Sequence, residues 1–496
     1  MLSTCWRGGW SPDGRPICNP DPPHKVGMTT GYRAVSLTTD SQRNAALETN
    51  SSEVMKRMKR NVWWLGMLLV LAATASAQPL QVEGSWRLRV EDWQWFNVAG
   101  YDTDYTYAHS LLRLALRGET GSARWMAELA QVGLFDVPNA VAPPPAGQFG
   151  FGGNLRAVNG DNRASLFVKQ LHVEWKWGKS TLKAGRMEFA DGREVVVKDP
   201  GLSWLHANRI SNRLIGTFGF SPVTRSFDGL LWQWGEPTQR WTFFAAYPTQ
   251  GAFHLNGNLT LSNVNQLYLA HARADESERT SRDWRLFWAW YRDTRNVLKV
   301  DNRPLAARQA DREDIRVWTL GAHWAQVWRS LAGRADAMVW GVLQGGDWGQ
   351  LRQESFALAV ETGFQFPTLW KPWVRAGYYV GSGDGDSADD KHGTFVGSMN
   401  TPRLYALTPF YNTANLEDAF VQVLLTPHPR WTARIDYHRL RLHRSTDQWY
   451  SGGGPFENAT YGVSGRPSGG HRDLAHLFDI SLNYRASDRL QISVYK

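Results

Sequence analysis

After residue 79, hydrophobic and polar residues alternate along many short stretches of the chain. Within residues 169–177 they separate onto two faces, with Leu171, Val173, Trp175 and Trp177 on one and Gln170, His172, Glu174 and Lys176 on the other. Because successive side chains of a β-strand point to opposite sides, this alternation predicts a strand with one apolar and one polar face. Similar alternation occurs in residues 86–90, 112–117, 434–438 and 478–484. The pattern predicts an all-β chain of about 16–18 antiparallel strands.

The connections between these strands are of two kinds. Short turn-like pieces occur at residues 118–121, 234–237 and 487–488. They alternate with long polar connections near residues 136–162, 191–224, 294–313, 383–415 and 443–471. Short turns at one end and long loops at the other are typical of a transmembrane β-barrel. A soluble propeller, the main alternative, would show a repeat of about 40–50 residues, and none is found.

The last residues, 490–496, read as a strand that stops midway. A closed barrel pairs its last strand with its first, since unpaired strand edges are not tolerated in lipid. We therefore expect either that the closing strand is missing or that the seam of the barrel is imperfect.

The composition agrees with a barrel rather than with membrane-spanning helices. Only 42% of residues are hydrophobic, and the mean hydropathy is −0.43, whereas each spanning helix needs about 20 consecutive apolar residues. Aromatic residues make up 13% of the chain and include 26 tryptophans, which cluster in pieces such as residues 284–291. Trp and Tyr concentrate at membrane–water interfaces. The net charge of +9 is spread along the chain, so we predict no nucleic-acid partner.

The N-terminal part contains an export signal. Residues 55–61 are basic, residues 62–74 are mostly apolar, and Ala75-Ser76-Ala77 is a small-residue cleavage site. This order is that of a signal peptide at residues 55–77; an uncleaved anchor helix is the alternative. We interpret residues 1–54 as an overlong predicted start or a disordered extension.

Residues 78–496 then form the mature barrel. Both cysteines, Cys5 and Cys18, precede it, so the mature protein is expected to have no thiol and no disulfide. The expected location is the outer membrane of the cell, in contact with its lipid.

Two motifs resemble those of a known family. Residues 182–193 read Leu-Lys-Ala-Gly-Arg-Met-Glu-Phe-Ala-Asp-Gly-Arg, and residues 225–229 read Arg-Ser-Phe-Asp-Gly. Together they resemble the alginate export family of outer-membrane porins, in which a Gly-Arg-Gln-Glu-like strand end and a Gly-Asp-x-Arg-like turn precede an Arg-x-Phe-Asp-Gly strand start. The acidic, glycine-rich loop after residue 377 is similar as well. Met187 replaces the usual Gln, and the insertion around Arg209 is longer than the family pattern.

The resemblance implies a monomer with a narrow basic lumen that passes an anionic polysaccharide or another polar solute by passive diffusion. Arginine suits a uronate polymer because its planar fork matches a carboxylate and never loses its charge. The implied partners are that solute, outer-membrane lipid and periplasmic export components. No cofactor is implied.

The pore-lining residues expected from these motifs are Lys176, Lys183, Arg186, Glu188, Arg193, Arg225 and Asp228. Strict alternation would place Arg186 and Glu188 on the face opposite Lys183, so we expect a β-bulge at Gly185 that turns all three toward the lumen. The alternative is that Arg186, Glu188, Arg193, Arg225 and Asp228 pair with one another and brace the wall. Both arrangements can coexist.

Two other function classes are alternatives to the porin. In the first, a barrel plugged by its long loops, for instance those at residues 136–162 and 443–471, serves as a binding or structural envelope protein. The second is an enzyme, for which no Gly-x-Ser-x-Gly motif and no metal-ligand spacing among the histidines is found. The acidic loop at residues 384–390 matches no EF-hand. We therefore predict no catalytic residue and no metal site.

Overall fold

The computed structural model describes residues 80–94, 103–139, 150–401, 403–407 and 410–496. The expectations for residues 1–79, including the signal peptide, lie outside the described residues. All described residues belong to one compact unit, Ala75–Lys496. In the described part of the chain, no helix is both long and apolar enough to cross a membrane.

The described residues form strands β1 (Gln81–Gln94), β2 (Asp104–Thr120), β3 (Ala123–Phe135), β4 (Ala164–Trp177), β5 (Ser180–Met187), β6 (Phe227–Glu236), β7 (Gln239–Pro248), β8 (Val264–Glu276), β9 (Thr280–Asp293), β10 (Ile315–Ser330), β11 (Gly333–Trp348), β12 (Leu351–Gln365), β13 (Trp373–Gly381), β14 (Lys391–His392), β15 (Leu416–His428), β16 (Trp431–Leu442), β17 (Gln448–Gly452), β18 (Val463–Pro467), β19 (Asp473–Arg485) and β20 (Gln491–Tyr495). Short helices are α1 (Gly150–Asn159), α2 (Pro200–Leu205) with a π-helical turn at His206–Ile210, and α3 (Leu305–Ala310).

The strands form an up-and-down antiparallel meander. Each strand from β1 to β13 pairs with the next, and the meander continues through β15, β16, β19 and β20. With the two-residue β14, which pairs with β12, the sheet has 18 strands. Strands β17 and β18 form a separate hairpin. The predicted antiparallel β-barrel is confirmed. Within the described residues no ladder joins β20 to β1, although the Arg89 guanidinium lies 5.9 Å from the Tyr495 ring.

The two faces of the strands differ as the alternation predicted. On β12, Phe356, Leu358 and Val360 are 38–45% exposed, whereas Ser355 and Glu361 on either side of this row are buried. In an isolated barrel the exposed apolar row is the outer face, which lies against lipid, and the buried polar row faces the interior. The buried charged residues on this inner face therefore contact other parts of the same chain.

Tryptophans form a belt on the outer face near the short turns. Its exposed members are Trp175, Trp177, Trp232, Trp234, Trp241, Trp324 and Trp328, which lie close to the β4–β5, β6–β7 and β10–β11 turns. We call this end of the barrel the short-turn end. Trp rings prefer the membrane interface, where one edge is apolar and the other reaches water, so this belt marks one boundary of the bilayer.

The interior is largely filled by residues 188–226, which we call the inner segment. After β5 it enters the barrel, where the Phe189 ring stacks on Phe244 of β7 at 4.0 Å between centroids. It reaches the short-turn end, where the Val196 N–H donates to the Pro237 carbonyl at 2.8 Å. It returns through α2, whose first turn is capped by the Asp199 carboxylate. The inner segment thus spans the barrel interior and narrows the lumen.

Candidate functional site

A fully buried charge cluster holds the inner segment to the wall. Glu361 of β12 lies 3.2 Å from the Arg209 Nε, 3.5 Å from the Arg213 Nη2 and 3.2 Å from the Arg375 Nη2. Arg375 of β13 also pairs with Asp336 of β11 at 3.0 Å. Arg209 and Arg213 belong to the inner segment, so Glu361 joins it to three strands. Removing one member would leave buried charges without partners.

A second cluster surrounds Arg285 of β9, which lies 3.3 Å from Asp191 and 3.1 Å from Glu194 of the inner segment. Burial raises the pKa of Asp191 above its usual value, and the Arg285 charge offsets only part of that rise. Burial acts in the same direction on Glu194, but Arg285 and the Tyr268 hydroxyl more than offset it, so the pKa of Glu194 lies below its usual value. Of these two side chains, Glu194 is therefore the stronger acid, and it keeps its negative charge to lower pH.

A third contact joins His206 of the inner segment to two wall strands. Its Nε2 lies 2.9 Å from an Asp283 carboxylate oxygen, and the His323 Nε2 lies 2.6 Å from the same oxygen. All three side chains are buried. These three contacts, with Glu361, Arg285 and Asp283 at their centres, fasten the inner segment along much of its length.

The expected bulge at Gly185 is absent. The β4–β5 and β5–β6 ladders run without a register shift, so Arg186 pairs with Leu171 and Asp228 in register. Gly185 instead permits close approach of strands: its φ is 122°, and a Cβ there would lie 2.3 Å from the Leu171 carbonyl oxygen. Arg186 and Asp228 thus share the outer face with Leu171, which corrects the expectation that Arg186 is turned toward the lumen.

Several of the expected pore-lining residues are paired. Arg186 and Asp228 form a bidentate pair at 2.7 and 2.8 Å. Glu188 pairs with Arg113 and Lys169 at 3.2 Å each. Lys176 and Lys183 share Glu174, at 3.9 and 3.6 Å. Of the bracing ladder expected among these residues, the Arg186–Asp228 pair is present, whereas Glu188 pairs with residues outside the expected set.

The surroundings of Arg225 differ from those expected of a pore-lining residue. It is 1% exposed, and its guanidinium donates to the carbonyls of Gly216, Met399, Gly453 and Pro455. Burial lowers the pKa of Arg225 to about 10. It fastens the inner segment to the loops after β13 and β16, so the loop at residues 443–471 does contribute to filling the barrel. The loop at 136–162 is described only in part.

Two adjacent cavities of about 570 and 500 Å³ lie beside the inner segment. They share Asn208, Arg403, Leu407 and Arg434 as lining residues. The arginines that line one cavity or both, which we call the cavity arginines, are Arg89, Arg193, Arg334, Arg403 and Arg434. The carboxylates in the linings are those of Glu188 and Glu194. The lining therefore carries an excess of positive charge.

Three cavity arginines have no ion-pair partner among the described residues, namely Arg193, Arg334 and Arg403. Arg193 is exposed to the larger cavity. The Arg403 guanidinium lies 4.9 Å from the Tyr495 ring and 5.5 Å from the Phe220 ring. Arg193 was among the expected lining residues, whereas the others were missed. Strand alternation would have found Arg89, Arg334 and Arg434, but no sequence signal points to Arg403 in its loop.

The antiparallel meander, the apolar outer face, the tryptophan belt and the charged interior define a β-barrel of the outer membrane. The protein belongs to the alginate export family, since the family model described as Alginate export matches residues 150–496. It is thus an outer-membrane porin or transporter.

The chain is similar to solved structures of bacterial outer-membrane porins. Acinetobacter baumannii OccAB3 has 10% identity and a TM-score of 0.50, with coverage of 84% of this chain and 93% of that chain. Pseudomonas aeruginosa OpdK, solved with vanillate, has 11% identity and a TM-score of 0.49, with coverage of 84% and 91%. Among curated proteins, none matches the chain.

Proposed function

We propose that this porin passes an anionic polysaccharide, or a smaller anionic solute, through the cavities beside the inner segment by passive diffusion. The observation that carries the proposal is the pair Arg193 and Arg403, two guanidinium groups that line the larger cavity without an ion-pair partner among the described residues. A charge that the protein does not neutralise attracts the opposite charge from solution.

The other cavity arginines extend this positive lining. Arg403 and Arg434 line both cavities, so a solute that moves from one cavity to the other passes between the same two cations. Arg434 is tied to Asp436, which holds its guanidinium in place. A polymer with one carboxylate per sugar would exchange one arginine contact for the next as it moves.

The size of the cavities agrees with an extended chain or a small solute. Each is within the range of roughly 300–1,000 Å³ typical of small-molecule sites. A coiled polysaccharide would not fit beside the inner segment. We therefore infer that a polymer would enter end first, in single file.

A second candidate function is that of a plugged barrel that binds without conducting. It is favoured by the buried clusters around Glu361 and Arg285, which fasten the inner segment to the wall. Ion conductance separates the two: a plugged barrel gives no channels in a planar bilayer, whereas the porin gives channels without displacement of the inner segment.

The test is block of the single-channel current by oligouronate, compared with a neutral oligosaccharide of the same length. We expect oligouronate to block at lower concentration, and the R193E/R403E variant to lose this preference. The control is R430E/R489E, which makes the same change in charge at two exposed turn residues. Equal block by both sugars in the unmodified protein would contradict the proposal. So would an equal loss of the preference for oligouronate in R193E/R403E and R430E/R489E.

A further inference from the structure

Beside the cavities, three buried side chains on two neighbouring strands form a compact group. Asp436 and His438 project inward from β16, and Asp479 projects inward from β19, which pairs with it. One ligand atom from each lies within 4.8 Å of the other two. The three residues are at most 1% exposed, and none takes part in the proposed solute path.

The histidine in this group has one ring nitrogen occupied and one free. The His438 Nδ1 lies 3.0 Å from both carboxylate oxygens of Asp418. A carboxylate accepts, so Nδ1 carries the proton and donates to it. In the neutral imidazole this leaves a lone pair on Nε2, which is buried and has no hydrogen-bond partner. A carboxylate on one nitrogen and an open second nitrogen is the arrangement of metal-ligating histidines.

A doubly protonated histidine accounts less well for the contacts. Its Nε2–H would have the Asp436 Oδ2 as acceptor at 4.0 Å, which is too long for a hydrogen bond. The Asp479 Oδ1 is also buried without a hydrogen-bond partner. Two buried polar atoms of opposite kind, a nitrogen lone pair and a carboxylate oxygen, are thus left facing the same small space. An ion between them would satisfy both.

The charges of the site also favour a cation. Asp418, Asp436 and Asp479 bring three carboxylates together, and Arg434 pairs with one of them, Asp436. Buried carboxylates are costly unless they are paired or coordinate a metal. A divalent cation would supply the charge that Arg434 alone does not.

We propose that Asp436, His438 and Asp479 bind a divalent transition-metal ion of the Zn²⁺ class, with Asp418 orienting the histidine. An imidazole with two carboxylates suits Zn²⁺, whereas Ca²⁺ and Mg²⁺ prefer oxygen ligands alone. Two ligands at about 2.0–2.2 Å from one ion lie at most about 4.4 Å apart. The 4.0 Å between His438 and Asp436 satisfies this limit, and the widest separation of the group needs only a small rotation of a side chain.

The site is connected to the cavity lining. The Asp479 Oδ2 accepts from the Leu407 N–H at 2.6 Å, and Asp436 holds Arg434. Leu407 and Arg434 line both cavities. An ion would therefore reach the site from the cavities, and it would fix the loop that carries Leu407 against the wall.

A second group of buried side chains serves as a matched control. His206, Asp283 and His323 are equally close together, but the His323 Nδ1 accepts from the Arg285 Nε at 3.2 Å. Its Nε2 must then carry the proton that it donates to Asp283 at 2.6 Å. No lone pair of His323 is left for a metal, and the neighbouring Arg285 repels one.

The experiment uses the purified protein without a polyhistidine tag, stripped with a chelator and titrated with Zn²⁺ and Co²⁺. We expect one Zn²⁺ per barrel by elemental analysis after gel filtration, and visible d–d absorption from Co²⁺. The H438Q and D479N variants should lose binding, D418N should weaken it about 10- to 100-fold, and H323Q should keep it. A folded barrel migrates differently in a gel before and after heating, and this shift in mobility confirms that each variant is folded.

Three results would overturn the proposal. The first is the absence of stoichiometric metal in the unmodified protein. The second is unchanged binding in H438Q. The third is equal loss in H323Q and H438Q, which would mean that the metal binds elsewhere or that both variants are perturbed in the same general way.

Discussion

Arg375 and Arg403 both lie inside the barrel, but their surroundings differ. Arg375 is 1% exposed and sits between Asp336 and Glu361, whereas Arg403 lies beside the rings of Phe220 and Tyr495 and lines both cavities. With Arg209, Arg213 and Arg285, Arg375 forms a set of anchor arginines. The supply of nearby carboxylates therefore decides the role of an arginine: the anchors stabilise the inner segment, and the cavity arginines without an ion-pair partner set the field in the lumen.

The largest effect is expected from Glu361→Ala, which leaves Arg209, Arg213 and Arg375 buried around an empty position. Breaking a buried charge cluster by removing one partner costs about 3–5 kcal/mol. The measurement is the free energy of unfolding in urea. Glu354→Ala is the control, because Glu354 pairs with Arg352 and Lys391 on exposed surface and should cost less than about 1 kcal/mol. Equal costs for the two variants would remove the distinction between anchors and surface pairs.

A smaller effect separates the two carboxylates beside Arg285. The pKa of Glu194 is lowered, so its stabilisation is present above its ordinary pKa, about 4.3, and is lost as pH falls through the lowered value. The pKa of Asp191 is raised, so its ionisation opposes folding as pH rises through that raised value. At neutral pH, Glu194→Gln should therefore cost about 1–3 kcal/mol, and Asp191→Asn should cost less.

The same pair gives a pH dependence that unfolding experiments can measure. The destabilisation by Glu194→Gln should shrink as the pH is lowered from 7 toward 3, because the native carboxylate then loses its charge. Asp191→Asn should show its largest cost at the low end of that range. If Asp191→Asn destabilised the protein more than Glu194→Gln at neutral pH, Glu194 would not be the stronger acid of the two.

The smallest effect on stability is expected from Arg193→Gln. Arg193 is exposed to the cavity and has no ion-pair partner among the described residues, so the free energy of unfolding should change by less than about 0.5 kcal/mol. Arg375→Gln serves as the buried counterpart and should be much more costly. If both changes had similar costs, the two groups of arginines would not differ in the way the structure indicates.

Local sequence pattern predicted the wall of the barrel but not its interior. Alternation in residues 169–177 placed Trp175 and Trp177 on the outer face, where they are exposed, because strand periodicity depends only on neighbouring residues. The bulge at Gly185 was wrong, since the glycine serves a close approach to Leu171 that depends on the pairing of β4 with β5. The alternation of residues along one strand does not show how closely that strand approaches its neighbour.

The interior depends on contacts between residues that are far apart in the sequence. Glu361 looks like any inward-facing strand residue until Arg209 and Arg213 are placed beside it. The grouping of His438 with Asp479 likewise requires the register of β16 against β19. The family motifs near residues 182–193 located the start of the inner segment, but nothing in them indicated that it folds into the barrel.

We infer that the cavity arginines set the ion preference of an open lumen. This preference is tested most directly by the reversal potential of single channels in a KCl gradient, measured for the unmodified protein and for R193E/R403E. We predict anion selectivity in the unmodified protein that falls to neutrality or reverses in the variant. An unchanged reversal potential, or the absence of channels in the unmodified protein, would contradict the claim.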